Sequence, residues 1–296
     1  MKDIIGNTVW EDLRKIRVKK PGLLVIFTDL DGTLLNHADY SFVDALPALE
    51  LIKRSNIPLI FCTSKTRSEV EELRGILELD EPFIVENGGG VFFPEEYRGF
   101  DIPESKARNG YRRIMLGAPY PLARIVVEHV RQHSSLQGFN DMEAEEIAEE
   151  TGLSVDQAVL AKQREFSEPL LLNDTTRKHD LFTSARAAGL RVIRGGRFHH
   201  LIDEHNDKGV AVKLTATIFQ RHFSEKILTI GLGDSPNDLP LLRSVDIPVL
   251  IPHPDGTYEA FNLSRLIKAP YHGSKGWNAV MLALLPELNR TSIFKS

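Results

Sequence analysis

The chain reads LLVIFTDLDGT over residues 23–33, an apolar run that ends in two carboxylates, a glycine and a threonine. A short apolar run followed by turn-forming residues is typical of a buried strand that opens into a loop. Side chains two positions apart on extended backbone point the same way, so we expect Asp29 and Asp31 to face one pocket. Gly32 lets the backbone turn tightly, with N–H groups free to meet an anion. One acid could attack while the other handles protons, which is the outline of a phosphoryl-transfer site; the alternative is an acidic turn after a core strand.

Composition places the chain among globular proteins of one large or two moderate domains. Its 296 residues carry a net charge of −5, which argues against nucleic acid as a partner because backbone binding needs a concentrated basic face. The single cysteine, Cys62, excludes an intramolecular disulfide and fits a reducing compartment. No apolar run approaches the length that spans a bilayer, and acidic residues interrupt the N-terminus where a signal peptide would be apolar. We therefore expect a cytoplasmic protein without a membrane partner, and the oligomeric state stays open.

Apolar strands and helices alternate at both ends of the chain. The first part predicts a strand at 23–27, a helix at 43–54, a strand at 57–62, a helix at 68–77 and a strand at 82–85. The alternation resumes with a strand at 226–231, a helix at 238–243, a strand at 247–251 and a helix at 277–288. Such alternation predicts a parallel sheet covered on both faces. The predicted fold class is therefore α/β, a doubly wound parallel sheet with a Rossmann-like core.

The middle of the chain has a different texture. Pro, Gly and charged residues crowd 94–110, and the pattern then predicts helices at 121–133, 154–162 and 178–188 and strands at 169–172 and 190–193. Ser154, with Gln157 three residues on, predicts a capping box. We interpret residues 93–202 as an inserted α+β cap that sets substrate specificity, within a catalytic core formed by 1–92 and 203–296. A cap attached at two points can move over the mouth of the sheet and exclude water from a reacting phosphate.

Other strand ends of the predicted core carry groups that suit a phosphate. Ligands in open α/β sheets bind beyond the carboxyl ends of the strands. The polar segments at these positions are Thr63-Ser64-Lys65-Thr66, Glu86-Asn87-Gly88-Gly89-Gly90, Asp207-Lys208-Gly209 and Gly233-Asp234-Ser235-Pro236-Asn237-Asp238. Each alone has an ordinary explanation as a turn, a helix cap or a solvated lysine. Together with Asp29 and Asp31 they indicate one site.

The motifs resemble those of the haloacid dehalogenase superfamily of aspartate-dependent phosphatases. The matching residues, in the expected order, are Asp29-x-Asp31-Gly32-Thr33, Thr63, Lys208 and Gly233-Asp234-x-x-Asn237-Asp238. The insertion between the second and third motifs is similar to the branch of that superfamily with an α/β cap in this position. Within the branch, three stretches resemble the mannosyl-3-phosphoglycerate phosphatases: Thr63-Ser64-Lys65-Thr66, REFSEP at 164–169 and GGRFH at 195–199.

The resemblance implies a magnesium site. A phosphate monoester and a carboxylate nucleophile repel each other, so a divalent cation must bridge them, and oxygen ligands with room for water select Mg²⁺. We expect Asp29, the backbone carbonyl of Asp31, and Asp234 to bind the ion. Asp238 is expected to act through water or as a partner of a ligand.

The resemblance also implies catalytic roles. Asp29 would attack phosphorus and form an aspartyl-phosphate, which splits one difficult displacement into two. Asp31 would protonate the leaving alkoxide and later deprotonate the attacking water. Thr63 and Lys208 would neutralise the phosphoryl oxygens in a transition state dominated by charge.

The remaining predicted residues bind the substrate. They are Gly32, Ser64, Lys65, Asn87, Gly88, Arg164, Ser167, Glu168, Gly196, Arg197, Phe198, His199 and Asn237. Arg164 and Arg197 would pair with the carboxylate of a phosphoglycerate, although from the residues alone Arg164 could equally pair with Glu165 or Glu168 and hold the cap together. His199 and His200 are neighbours on a strand-like run, so their side chains point to opposite faces. We expect one to face the interface between cap and core and the other a packed surface; which histidine does which stays open.

Three classes of function remain open at this point: a phosphatase, a phosphomutase and a non-catalytic binding protein. The favoured hypothesis is a Mg²⁺-dependent phosphatase that converts mannosyl-3-phosphoglycerate, a small-molecule partner, to mannosylglycerate and phosphate. Alternatives within the same fold are a phosphatase for glucosyl-3-phosphoglycerate or another sugar phosphate, and a sugar phosphomutase. A non-catalytic sugar-phosphate binder is the third, disfavoured by the presence of every carboxylate and the lysine.

Overall fold

A computed structural model of the protein describes residues 22–103, 105–133, 135–172, 178–195 and 198–293. The strands are β1 (Leu24–Thr28), β2 (Leu59–Cys62), β3 (Phe83–Val85), β4 (Gly90–Pro94), β5 (Lys106–Arg108), β6 (Tyr111–Met115), β7 (Leu136–Gly138), β8 (Glu168–Leu172), β9 (Leu190–Arg194), β10 (His199–Asp203), β11 (Leu228–Gly233), β12 (Ile247–Leu250) and β13 (Ile267–Lys268). The helices are α1 (Leu46–Arg54), α2 (Arg67–Leu77), α3 (Tyr120–Arg131), α4 (Ala144–Thr151), α5 (Val155–Ala161), α6 (Lys178–Ala187), α7 (Lys208–Phe223), α8 (Leu239–Leu242) and α9 (Gly273–Ile293). Single 3-10 turns lie at Val43–Ala45, Glu86–Gly88, Tyr97–Gly99, Phe139–Asp141 and Pro236–Asp238.

The chain divides into two compact units, and the first comprises residues 1–61 and 212–296. In its described part the strands follow the order β13-β12-β11-β1-β2, and every neighbouring pair is parallel. Strands β1 and β11 are almost wholly buried, which explains their continuous apolar sequences, since parallel strands are covered on both faces. The predicted α/β class with a parallel sheet is confirmed.

Helix α9 holds the carboxyl end of β1 and is itself bonded to α1. Trp277 of α9 is fully buried, and its indole N–H donates to the Thr28 hydroxyl at 3.0 Å. The backbone N–H of Ala48 in α1 donates to the side-chain oxygen of Asn278 at 3.0 Å. The first bond satisfies a buried indole donor and anchors Thr28, which immediately precedes Asp29, and the second bond joins α1 to α9.

The second unit comprises residues 62–211 and contains antiparallel pairings. Strands β3, β4, β6 and β5 are neighbours in that order, and a separate four-stranded sheet has the order β7-β8-β10-β9. Alternate residues of β8 face opposite sides of the separate sheet. Leu170 packs with buried residues of α3 and α6, whereas Leu171 packs with the apolar cluster of α4 and α5.

Most predicted elements are present with shifted ends. Ser154 and Gln157 form the predicted capping box at the start of α5, with Ser154 Oγ accepting from the Gln157 N–H at 3.2 Å. Strands β4 to β7 and β13 were not predicted. The predicted domain boundaries fall inside β4 and β10, and the domain assignment itself stays a prediction. Within the described ranges, no helix is long and apolar enough to cross a membrane.

Candidate active site

The loop after β1 presents two of the predicted acids. The backbone N–H of Asp29 donates to the carbonyl of Leu232 in β11 at 2.9 Å, which extends the strand pairing as far as this residue. The chain then turns: Gly32 has a φ of 78°, in the left-handed region that glycine adopts without strain, and the Leu35 N–H returns to the Leu30 carbonyl at 2.8 Å. Asp29 is buried at the base of this loop, and Asp31 is half-buried.

Three buried carboxylates of the first unit converge. Asp29, Asp234 and Asp238 each offer one carboxylate oxygen, and these oxygens all lie within 4.8 Å of one another. Thr33 donates its hydroxyl to Asp234 Oδ1 at 3.0 Å. A Cβ at Gly32 would lie 2.5 Å from Asp234 Oδ2, so the approach of this loop to Asp234 requires glycine. Buried charges need compensation, and hard oxygen ligands in this arrangement fit a divalent cation.

Asp238 also orders the loop that carries Asp234. Its Oδ2 accepts from the Asp234 N–H at 3.0 Å, the Ser235 N–H at 3.1 Å and the Ser235 hydroxyl at 3.3 Å. Asn237, predicted to bind substrate, accepts from the Ser235 hydroxyl at 2.8 Å. One oxygen of Asp238 therefore orients a neighbouring acid, an arrangement typical of residues that support metal ligands.

Thr63 and Asn87 meet in the second unit. Thr63 is fully buried, donates its N–H to Ile84 O at 3.1 Å and accepts the Asn87 N–H at 2.9 Å. Its hydroxyl oxygen accepts the Lys65 N–H at 3.2 Å. The Lys65 ammonium lies 3.2 Å from the carboxylate of Glu69. Burial alone would raise the pKa of Glu69, but the charges of Lys65 and a nearby arginine outweigh burial and lower it.

Lys208 and Gly88 lie against each other in the same unit. Lys208 is the first residue of α7 and is fully buried. Asp207 Oδ1 accepts the Val210 N–H at 3.0 Å and so caps the helix. Gly88 has a φ of 95°, and a Cβ there would lie 2.2 Å from the Asp207 carbonyl oxygen, so glycine is required for this contact.

Arg164 is nearly buried, with 4% of its side chain exposed. Its Nη1 donates to the Ser64 carbonyl at 2.7 Å and lies 4.0 Å from Glu86 Oε2. Among the described residues this contact is its only ion pair, so it does not pair with Glu165 or Glu168. Glu165 instead contacts two other arginines of the second unit, at 2.8 Å and 2.7 Å.

Glu168 lies inside the unit and is already bonded. It accepts the Tyr120 hydroxyl, the Asn140 N–H at 3.0 Å and Arg124 Nη1 at 3.5 Å. Burial raises the pKa of Glu168.

Phe198 packs edge-on against Phe139 with ring centroids 5.0 Å apart. Gly196 and Arg197 lie outside the described residues.

The two histidines of β10 differ in their surroundings. His200 is buried and His199 is half-buried. Burial, together with the positive charges of Arg164 and Lys208 and the neighbouring His199, lowers the pKa of His200 to about 3. Its Nδ1 has no hydrogen-bond partner in the part of the chain that the structure describes. His200 is therefore the histidine that faces the packed interior.

Sequence similarity to known proteins assigns the chain to a family. A model of the haloacid dehalogenase-like hydrolases matches residues 26–108. A glucosyl-3-phosphoglycerate/mannosyl-3-phosphoglycerate phosphatase of Persephonella marina is 50% identical over 267 residues, which are 90% of this chain and 99% of the relative. The chain belongs to the haloacid dehalogenase-like hydrolases. The family predicted from the motifs is thus confirmed, and so is the predicted enzyme class, a phosphoric monoester hydrolase.

Two further similarities agree with this haloacid dehalogenase-like assignment. A protein of the same name from Methanococcoides burtonii is 42% identical over 269 residues, covering 90% of this chain and 98% of the relative. A solved haloacid dehalogenase-like hydrolase of B. subtilis has a TM-score of 0.59 at 15% identity, covering 88% of this chain and 99% of that chain, and shows the fold alone. Phosphatases of this family generally use a divalent metal, and the acidic cluster supplies oxygen ligands for one.

Sequence reasoning missed Glu86 as a residue with a specific role. In this haloacid dehalogenase-like chain Glu86 is buried and accepts several hydrogen bonds from residues 165–167. The only signal was an acid at the start of the Glu-Asn-Gly-Gly turn, which is indistinguishable from an ordinary turn residue when its distant partners are unknown.

Proposed function

We propose that this enzyme hydrolyses mannosyl-3-phosphoglycerate and its glucosyl counterpart to the glycosylglycerate and inorganic phosphate. The observation that carries the proposal is the 50% identity to a relative whose name gives both substrates, over 99% of that relative. The motifs favoured mannosyl-3-phosphoglycerate as the substrate, and the proposal now includes the glucosyl ester as well. A phosphomutase or a non-catalytic binder has no comparable support.

The proposed reaction starts at Asp29. Its buried carboxylate attacks phosphorus and displaces the glycerate oxygen, giving an aspartyl-phosphate. Asp31, half-buried on the same loop, donates a proton to the departing alkoxide and later accepts one from the attacking water. Thr63 and Lys208 are proposed to neutralise the non-bridging phosphoryl oxygens.

The proposed cofactor is Mg²⁺, bound by Asp29 and Asp234 with the backbone carbonyl of Asp31, and supported by Asp238. When bound, the ion would supply the positive charge that lets an anionic carboxylate approach an anionic phosphate. Thr33 and Asp238 orient Asp234 toward this role through the hydrogen bonds described above.

The proposed substrate carries a second anion, the glycerate carboxylate. Arg164 and Arg197 are proposed to pair with it, since a guanidinium matches a carboxylate bidentately. The other predicted substrate contacts are also proposals: Gly32, Ser64, Lys65, Asn87, Gly88, Ser167, Glu168, Gly196, Phe198, His199 and Asn237. The cytoplasmic location is a further proposal, which cell fractionation would test.

A panel of phosphate esters tests the proposal. Release of inorganic phosphate is measured with Mg²⁺ and with EDTA from mannosyl-3-phosphoglycerate, glucosyl-3-phosphoglycerate, free 3-phosphoglycerate, hexose phosphates and p-nitrophenyl phosphate. We expect kcat/KM for the two glycosyl esters to exceed that for the others by about tenfold or more, because binding of the distant groups is used at the reacting centre. Equal rates across the panel would reduce the enzyme to a generic phosphatase.

Two variants separate the nucleophile from general effects of charge. Asp29→Asn should abolish turnover of every ester, because an amide cannot form the acyl phosphate. Asp44→Asn is the matched control, because Asp44 is an exposed acid of the same unit. Turnover retained in Asp29→Asn would refute the assignment of the nucleophile.

A further inference from the structure

The carboxylate of Glu86 is enclosed by donors from a segment about 80 positions away in the chain. Oε1 accepts the Glu165 N–H at 2.8 Å. Oε2 accepts the Phe166 N–H at 3.0 Å, the Ser167 N–H at 2.7 Å and the Ser167 hydroxyl at 2.8 Å. A carboxylate can only accept hydrogen bonds, and here four donors from three consecutive residues converge on it. Glu86 therefore holds the backbone of this segment in one conformation.

The backbone at Glu86 is itself bound to the Thr63 loop. The Glu86 N–H donates to Lys65 O at 3.0 Å, and the next N–H, of Asn87, donates to Thr63 O at 2.9 Å. Glu86 and Asn87 have φ values of 49° and 58°, in the left-handed region that is costly for residues with a side chain. Strained backbone persists only where its surroundings over-determine it, and such positions concentrate at functional sites.

The following glycines let the distant segment lie directly on the turn. A Cβ at Gly89 would lie 2.4 Å from Phe166 Cβ, and one at Gly90 would lie 2.6 Å from the Phe166 ring. Burial raises the pKa of Glu86, and Arg164, 4.0 Å from Oε2, opposes that shift. The turn and segment 164–167 thus form one packed element of the second unit.

Arg164 is held at the end of this element. Its Nη1 donates to Ser64 O at 2.7 Å, so the guanidinium bridges the Thr63 loop and the Glu86 turn. Its Nε lies buried, and among the described residues it has no hydrogen-bond partner. A buried donor without a partner is costly unless a ligand or water satisfies it. The carboxylate of a glycerate ester is an acceptor of the right charge for this N–H.

We propose that Glu86 is a positioning residue that fixes segment 164–167, and with it the Arg164 guanidinium, for the carboxylate of the substrate. The inference rests on the proposed function in one respect, that the substrate carries a phosphoglycerate end. Glu86 does not touch the reacting phosphate in this assignment. It sets selectivity through the residues it holds.

Glu86→Gln tests the assignment with little change of volume. A glutamine offers one acceptor oxygen and an NH₂ group, so at least one of the four donors faces another donor. We expect KM for mannosyl-3-phosphoglycerate to rise about tenfold or more, because small misplacements of a binding group cost this much. The kcat for p-nitrophenyl phosphate, which lacks the carboxylate, should stay within about twofold of wild type.

Glu81→Gln is the matched control. Glu81 is a glutamate of the same unit that pairs with Arg98 at 2.7 Å. It should leave both kinetic constants unchanged. An equal loss on both esters in Glu86→Gln, or the same KM change in Glu81→Gln, would overturn the inference. If Glu86→Gln does not fold, Glu86→Asp keeps the charge but reaches fewer donors, and it must show the same selective rise in KM.

A double-mutant cycle with Arg164→Lys tests whether Glu86 acts through Arg164 or independently of it. If Glu86 acts through Arg164, the KM increase of the double variant falls below the product of the single increases. Multiplicative increases would overturn the coupling. A wild-type enzyme without preference for the phosphoglycerate ester would refute the proposed function and this inference with it, whereas an unchanged KM in Glu86→Gln of a selective enzyme refutes the inference alone.

Discussion

Protonation of His200 should couple stability to pH. The folded environment lowers its pKa from 6.5 to about 3, first through burial and then through the cations Arg164 and Lys208. A histidine whose pKa is lowered stabilises the fold fully above 6.5, and the contribution is lost as pH falls from 6.5 toward 3. At pH 5 the unfolded chain binds a proton at this position that the folded chain does not, so relative to pH 8 the fold loses about 2 kcal/mol.

Urea unfolding at pH 8 and pH 5 measures this loss, followed by tryptophan fluorescence and far-ultraviolet circular dichroism. In His200→Gln the drop in unfolding free energy between the two pH values should be smaller than in wild type by about 2 kcal/mol. His205→Gln is the control, because it removes another histidine of the second unit, one whose side chain is 84% exposed. The imidazole of His200 should also show no proton uptake by NMR down to pH 5. Titration near 6.5, or an unchanged pH dependence in His200→Gln, would refute the reasoning.

Three further outcomes follow from the first unit. Thr33→Val removes the hydroxyl that holds Asp234, so the Mg²⁺ concentration for half-maximal activity should rise about 10- to 100-fold, measured by metal titration. Gly32→Ala places a Cβ 2.5 Å from Asp234 Oδ2, so activity should be lost while circular dichroism stays that of a folded protein. Trp277→Phe leaves the Thr28 hydroxyl without its buried donor and should lower the unfolding free energy by about 1–3 kcal/mol.

The parallel strands were predictable because a strand that is buried on both faces consists of consecutive apolar residues. Strand β1 illustrates this, and so does β11, which pairs with it in register, Thr28 lying opposite Leu232. The carboxyl ends of parallel neighbours meet at one edge of a sheet. The acids after the two strands, Asp29 and Asp234, were therefore expected to approach each other, and their ligand oxygens do.

Strands that pair at a sheet edge left no comparable signal. Residues 106–108 of β5 are all exposed and include two cations, so no alternation of apolar and polar residues marks them. Strand β4 starts with Gly90, after a run of glycines that favours a turn. Their strand conformation depends on pairing with β6, which is a tertiary contact that propensity does not encode.

Side-chain roles were hidden for a related reason. The donors that surround Glu86 lie 79 to 81 residues further along the chain, so local sequence cannot distinguish a buried acceptor from a turn residue. Glu168 was expected at the substrate because of its motif. That role stays a prediction, and its carboxylate is bonded to Tyr120, Arg124 and Asn140, partners that the motif position alone did not predict.

The acidic cluster shows why its carboxylates need rigid support. Oxygens within 4.8 Å of one another would repel by about 3 kcal/mol per charged pair at an effective dielectric constant near 20. An unsupported loop would relieve that repulsion by moving apart. Here Asp29 is held by the pairing of β1 with β11, and Asp238 is held by two backbone N–H groups. The stability of the buried sheet offsets the repulsion between the carboxylates, so their oxygens stay close enough for a divalent cation to neutralise them. The site is therefore arranged in advance, at a cost in local stability.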